Sequence, residues 1–231
     1  MSATTQKNAL RAKKSDASTV KRQPRSLETR RKLLSGARLS FEERGYHSTR
    51  IADITENAGI ALGNFYRHFN NKNEIFAEVL RPVFADMHTN SGRSKNEPPA
   101  RSVDELKNRN IRYITFFSEN RMILRTGYEA AASINSNDFF SVWFELREIF
   151  FARSRSWLAG LKREGSLRAG IDINLMAEAL GAMNEQFIYM RVIRTENALT
   201  DQETNEMAQM LAEIWWQALF PGQTKTKSRQ K

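Results

Sequence analysis

No cysteine occurs in this chain. That absence removes disulfide frameworks, thiolate zinc sites, iron–sulfur clusters and thiol catalysis, and it suits a reducing, cytoplasmic setting. Proline (5) and glycine (11) are sparse among 231 residues, which disfavours a turn-rich all-β design. No apolar run approaches the ~18 residues of a membrane span. The N-terminus is basic and polar, without the apolar core of a secretory signal. Signs of catalysis are also missing: there is no HExxH, no nucleophile elbow and no Gly-rich phosphate loop. Histidine is limited to His47, His68 and His88. The pairs Glu42-Glu43 and Asp104-Glu105 are adjacent on helices, cannot converge, and read as solvated faces. No catalytic residue, metal ligand or cofactor is expected, and no membrane partner.

What is present is enough apolar material for a core (40% hydrophobic) and a formal net charge of +10. The placement of that charge is informative. Residues 1–25 carry Lys7, Arg11, Lys13, Lys14, Lys21, Arg22 and Arg25 against Asp16 alone. The last eleven residues carry Lys225, Lys227, Arg229 and Lys231 with no acid. The body between these tails is neutral. Residues 1–25 lack periodicity and read as a disordered basic tail; residues 221–231 read as a second, solubilising one. Basic tails can also hold polyanions by counterion release.

The body reads as helix throughout. Leu27, Leu34 and Phe41 recur every seven residues, with Leu33 and Ala37 beside them, so a helix is predicted from a Ser26 cap to a Gly45 stop. Lys72 opens a helix that contains Pro82, which can bend it. Residues 90–100 read as a loop. Five longer helical segments follow, and Pro221-Gly222 stops the last. No stretch shows a convincing period of two. The predicted fold is all-α, with nine helices, no sheet and no internal repeat.

Residues 49–69 hold the most specific pattern. Thr49 is placed to cap a helix whose inner face is Ile51, Ile54 and Ala58, with Arg50, Asp53 and Glu56 outside it. Ala58-Gly59 makes a tight junction, since Gly59 can take a positive φ. Ile60 plugs the space between two helices, and Phe65 and Phe69 anchor the second. This is a helix-turn-helix pattern, whose second helix enters the major groove of double-stranded DNA. Its outward face would hold Ala61, Leu62, Asn64, Arg67 and His68. Gly63 removes a side chain where that helix could lie close to DNA.

The segment from about Arg30 to Phe76 resembles the TetR family of one-component transcriptional regulators. The matching residues include Phe41-Glu42-Glu43-Arg44-Gly45-Tyr46, Thr49, Asp53-Ile54, Ala58-Gly59-Ile60, Gly63, Phe65-Tyr66-Arg67-His68-Phe69, and Lys72 before Glu74-Ile75-Phe76. The resemblance implies a helix-turn-helix DNA-binding domain over residues 26–76 and a helical effector-binding and dimerisation domain over 77–220. It implies backbone contacts from Thr49 and Arg50, with Arg50 able to reach a base edge, and phosphate contacts from Tyr66, His68 and Lys72. Base reading would fall to Ala61, Leu62, Gly63 and Asn64. Ala61 departs from the usual Ser or Thr cap, a loss of roughly 1 kcal/mol unless another group substitutes. Leu62 either touches a thymine methyl or is exposed incidentally. Arg22 and Arg25 are placed to reach an adjacent minor groove.

One short recognition helix buries little surface, so two copies on a pseudo-palindrome are expected. The helix over 173–194 carries an apolar stripe, and the last helix is apolar round well over half its circumference. The expected homodimer face is Met183, Phe187, Met190, Met207, Leu211, Ile214, Trp215 and Ala218. The resemblance implies a pocket among the middle helices for a small, largely apolar effector of unknown identity. Its candidate lining is Met87, Asn110, Tyr113, Phe117, Trp143, Phe144, Asn184 and Tyr189, with Glu129 and Glu185 as further polar handles. Most such aromatics equally well pack a core. The expected function is that of a repressor released by its effector. The alternatives are an activator of the same family, or a helical interaction protein without DNA binding, which intact Tyr66, His68 and Lys72 disfavour.

Overall fold

The computed structural model describes the backbone of residues 3–87, 100–132 and 137–220. Side chains are described from residue 25 onward within those ranges, save those of 137–140, 142, 146, 149 and 150. The expected C-terminal tail, the Pro221-Gly222 stop and almost all of the 90–100 loop lie outside the described residues. Nine α-helices and one π-helical segment make up the described part, and no strand occurs among those residues. The chain divides into two units, Met1–Val79 and Leu80–Lys231.

The first unit contains α1 (Ala3–Ser48), α2 (Ile51–Ala58), α3 (Leu62–Phe65) and the start of α4 (Lys72–Asp86). Helix α1 runs back to Ala3, where the sequence reading expected a disordered tail and a start at Ser26. Lys, Ala, Gln and Arg, frequent in this stretch, are good helix formers. Gly45 breaks α1 at φ 73° and ψ 170°, a conformation that favours glycine, and one further turn follows.

The buried face of α1 is Leu33, Ala37 and Phe41, spaced four and four. The heptad that begins at Leu27 is not the core stripe, because Leu27 is 69% exposed. Phe41 packs on Phe76 with ring centroids 4.5 Å apart, and Tyr46 lies 5.0 Å from the same ring. Helix α3 has four residues, far too short to persist on its own hydrogen bonds. Phe65 holds it, fully buried and stacked near Phe69 at 5.8 Å. A buried Phe contributes about 1.5–3 kcal/mol towards holding it.

Helices α1 and α2 meet main chain to main chain. A Cβ on Gly36 would fall 2.7 Å from both Ala58 N and Ile54 O. Ser40, fully buried, ties the crossing: its hydroxyl donates to Gly36 O and accepts from Asn57 Nδ2.

The second unit holds the remainder of α4, then α5 (Val103–Glu119), α6 (Arg121–Ala131), α7 (Asn137–Arg163), α8 (Ile173–Ile188) and α9 (Asp201–Leu219). Polar caps set the starts. Ser102 accepts from Glu105 N, Asp172 accepts from the N–H groups of Asn174 and Leu175, and Thr200 and Glu203 form a reciprocal box. Gly165, at φ 68°, follows the end of α7. A π-helical segment (Tyr189–Ile193) extends α8. The core joins Leu158 and Leu161 of α7 to Leu180 of α8 and Trp215, Trp216 and Leu219 of α9. Two glycines admit rings: an added Cβ would strike Trp143 at Gly127 and Phe151 at Gly181.

Gly36→Ala should force α1 and α2 apart, because the obstacle is backbone. An overpacked crossing of this kind costs about 1–3 kcal/mol. Circular-dichroism melts should show the loss; an unchanged melt would mean the crossing is slack.

Candidate nucleic-acid interface and ligand cavity

The reading head is α2, a left-handed corner and α3. Gly59 sits at φ 63° and ψ 36°, and its N–H reaches Glu56 O at 3.0 Å. Ile60 N then bonds Thr55 O at 2.9 Å, which closes the corner. Beyond it the structure exposes Ala61, Leu62 (49%), Gly63, Tyr66 (58%) and Arg67, and leaves Asn64 and His68 half-buried. Ala61 occupies the N-cap of α3 and supplies no side-chain cap. Nothing lies within 4 Å of where a Gly63 Cβ would stand, so this face is open.

Two expected contacts point inward instead. Thr49 does not cap α2: it is buried, and its hydroxyl donates to Gly45 O at 2.7 Å and Ser40 O at 3.0 Å. The N-cap is Arg50, whose N–H donates to Asp53 Oδ2 at 2.7 Å. Asp53 is therefore buried rather than outward as the sequence reading had it. The Arg50 side chain stays 79% exposed. Lys72 directs its ammonium to Tyr46 O (2.7 Å), Thr49 O (2.9 Å) and His47 O (3.5 Å), and lies 4.4 Å from the centre of the Tyr46 ring. Burial pulls its pKa below the ordinary value.

In the second unit a partly open pocket is lined by α4 to α8. Met87, Tyr113, Phe117 and Trp143 line it, as the sequence reading expected. Four expected residues do not. Asn110 donates to Ala208 O and so joins α5 to α9. Asn184 is buried and accepts from Trp215 Nε1 at 2.9 Å. Phe144 is half exposed, one helical step round from Trp143. Tyr189 stacks on Tyr128 at 4.6 Å instead of lining the space.

Phe84, Leu124, Tyr128, Arg147 and Phe151 complete the wall together with Glu185. Arg147 donates from Nε to Glu185 Oε2 at 3.1 Å and from Nη2 to the same oxygen. Tyr128 donates its hydroxyl to Glu185 Oε1 at 2.7 Å. Burial, followed by the Glu185 charge, raises the pKa values of the Tyr113 and Tyr128 phenols. For Arg147, burial works against the charge, but the Glu185 hydrogen bond and charge outweigh it and the pKa rises. Arg147 was the residue missed; its only sequence signal is a lone cation inside an aromatic run.

Of the expected dimer residues, Met190 (45%) and Ile214 (40%) are exposed, and Met183, Phe187 and Ala218 are half-buried. Met207, Leu211 and Trp215 are buried within the chain itself, so they back such a surface rather than form it. Leu175 and Met210 add exposed apolar area on the same two helices. Among the described residues, no helix is long and apolar enough to cross a membrane, and no three His, Asp or Glu side chains form a metal-binding group.

A helix-turn-helix head joined to a cavity-bearing helical unit defines a class of regulator, and comparison with known proteins specifies it. Residues 33–79 match the model of the family described as bacterial regulatory proteins, tetR family. ArpR of Pseudomonas putida, a probable HTH-type transcriptional regulator, is 43% identical over 79 residues, 34% of this chain and 35% of its own. The HTH-type transcriptional repressor KstR2 of Rhodococcus jostii is 28% identical over 163 residues, 63% of this chain and 71% of its own. This chain thus spans only about a third of the length of ArpR. The solved structure of SmeT, repressor of the Stenotrophomonas maltophilia multidrug efflux pump SmeDEF, superposes with a TM-score of 0.66 at 20% identity. The superposition covers 88% of this chain and 98% of SmeT. Residues 33–79 thus carry the helix-turn-helix of the tetR family of bacterial regulatory proteins, and the fold resembles that of solved TetR-family regulators.

Asp53 generates a pH prediction. The Arg50 N–H, then the Arg44 and Arg50 guanidiniums, hold its carboxyl below the ordinary value of 3.8. Between the folded and unfolded pKa values the unfolded chain binds the extra proton. The contribution to stability is therefore full above the unfolded value and is lost as pH falls through the folded one. Acid melts should show this loss, and Asp53→Asn should reduce stability at neutral pH while flattening the acid limb. An unaltered acid limb in that variant would remove the role assigned to Asp53.

Proposed function

We propose that the chain is a transcriptional repressor that binds a pseudo-palindromic DNA operator as a homodimer and is released by a small, largely apolar effector. The observation that carries this reading is the open face of α3 and the turn after it. Leu62 stands exposed on a helix fixed from beneath by Phe65, Tyr66 and Arg67 stand exposed in the turn that follows, and Arg50 is exposed at the start of α2. Arg67, Arg50 and the Tyr66 hydroxyl suit phosphates, and such contacts fix register. Leu62 and Asn64 are left for base edges, apolar contact with a thymine methyl being the chemistry open to Leu62.

A head this small needs a second copy to reach specific affinity. The exposed apolar residues of α8 and α9 supply a self-complementary face for one. The cavity gives the effector a place. By linkage, the effector releases DNA only if it binds the population that fits the operator badly more tightly than the population that fits it well. Residues 3–25, helical and basic, add a sequence-independent attraction for the duplex.

Fluorescence anisotropy on duplexes taken from the DNA flanking the chain's own gene tests this. Expected are binding with a steep salt dependence, a flatter slope after removal of residues 1–24, and weaker binding by Arg67→Ala. Met190→Glu with Ile214→Glu should yield single chains in sedimentation and a drop in operator affinity of about tenfold or more. A wild-type chain that ignores duplexes in dilute buffer, or sediments singly, overturns the proposal.

A further inference from the structure

The cavity walls carry more chemical information than an apolar lining requires. Six of its ten lining residues are aromatic. They stand at steep angles to one another: Phe84 meets Trp143 at 90° with centroids 5.4 Å apart, and Tyr128 meets Trp143 at 69° and 4.9 Å. Tyr113 meets Phe117 at 63° and 4.7 Å. Rings packed edge to face leave both π faces and positive edges on the wall they form. A flexible aliphatic chain gains only contact area from such a wall. A flat ring gains the complementary quadrupole as well.

The polar end is equally selective. Arg147 and Glu185 form an ion pair, so the site holds no net charge to reward a ligand of either sign. Both Glu185 oxygens already accept hydrogen bonds, one from Tyr128 and the other from two Arg147 nitrogens. A guanidinium carries five N–H donors and no acceptor. Two Arg147 donors point to Glu185, and the group lies 5.7 Å from the Phe151 ring centre, partly exposed. Arg147 thus keeps donor capacity at this end. It calls for an oxygen acceptor on the ligand.

We infer that the cavity selects planar aromatic molecules bearing an oxygen acceptor, with the ring among Phe84, Tyr113 and Trp143 and the oxygen on Arg147. This rests on the reading of the chain as an effector-responsive regulator, but it concerns the class of ligand alone. Arg147 is the specificity residue, and Glu185 and Tyr128 position it.

Isothermal titration of the full chain with three probes tests the inference: β-naphthol, naphthalene and decanol. β-Naphthol should bind about tenfold or more tightly than either of the others. Arg147→Gln should lose that preference over naphthalene. Should Arg147→Gln fail to fold, the three-probe ranking of the unaltered chain still decides. Decanol binding as well as β-naphthol, or no probe binding, overturns the inference. The regulator reading is judged separately, by anisotropy on operator DNA. Loss of DNA binding to an aliphatic compound would sustain the regulator and refute the aromatic class. β-Naphthol binding by a chain that ignores DNA would do the reverse.

Discussion

The Lys72 ammonium, set on the carbonyls of Tyr46, His47 and Thr49, is the joint on which the DNA-facing unit depends. The chain breaks α1 at Gly45 and enters α2 at Ile51, so the carbonyls between lack a full set of helical N–H donors. Buried unpaired carbonyls cost free energy comparable to a lost hydrogen bond. One cation from the first residue of α4 satisfies three of them and lies on the Tyr46 ring. The Tyr46 hydroxyl in turn donates to Asn73, the next residue of α4. The two ends of the reading head are thereby fastened together, with α2 and α3 between them. The family role of Lys72 is a phosphate contact; here the same charge is spent on the scaffold, and the open cations of this face are Arg50 and Arg67.

The helix-turn-helix was legible because each of its parts has a side-chain signature. Gly59 marks a positive φ, and Phe65 and Phe69 mark an inner face four residues apart. Thr49 and Lys72 were misjudged for the opposite reason. Their partners are main-chain carbonyls, which every residue has and no sequence pattern announces. Asp53 looked like an outward acid until Arg50 and Arg44 were seen to converge on it. The dimer residues divided in the same way: periodicity placed Met207 and Ile214 on one helix, but only packing shows that one is covered and the other is not.

The cavity was half legible. Aromatic content located it, yet Trp143 lines it and its neighbour Phe144 does not, a difference of one helical step. Arg147 and Glu185 lie 38 residues apart on different helices, so their pairing follows from tertiary packing alone. A buried ion pair is a poor source of stability, because desolvation cancels much of the attraction. Its presence among rings is better explained by what it can discriminate than by what it stabilises. Asn184, one residue before Glu185, shows the contrast: it takes the Trp215 indole N–H and is closed to anything else.

Gly127 and Gly181 bear on how this protein diverges. The rings of Trp143 and Phe151, both in the cavity wall, rest where those two residues have only hydrogen. The shape of the chamber is thus set by two absent methyl groups on helices behind it. A single alanine at either place would displace an aromatic ring without touching the reading head or its fold. On the proposed function, chemical sensitivity and genomic address are written in separate parts of the chain, and selection can revise the former by one carbon atom while leaving the latter unread.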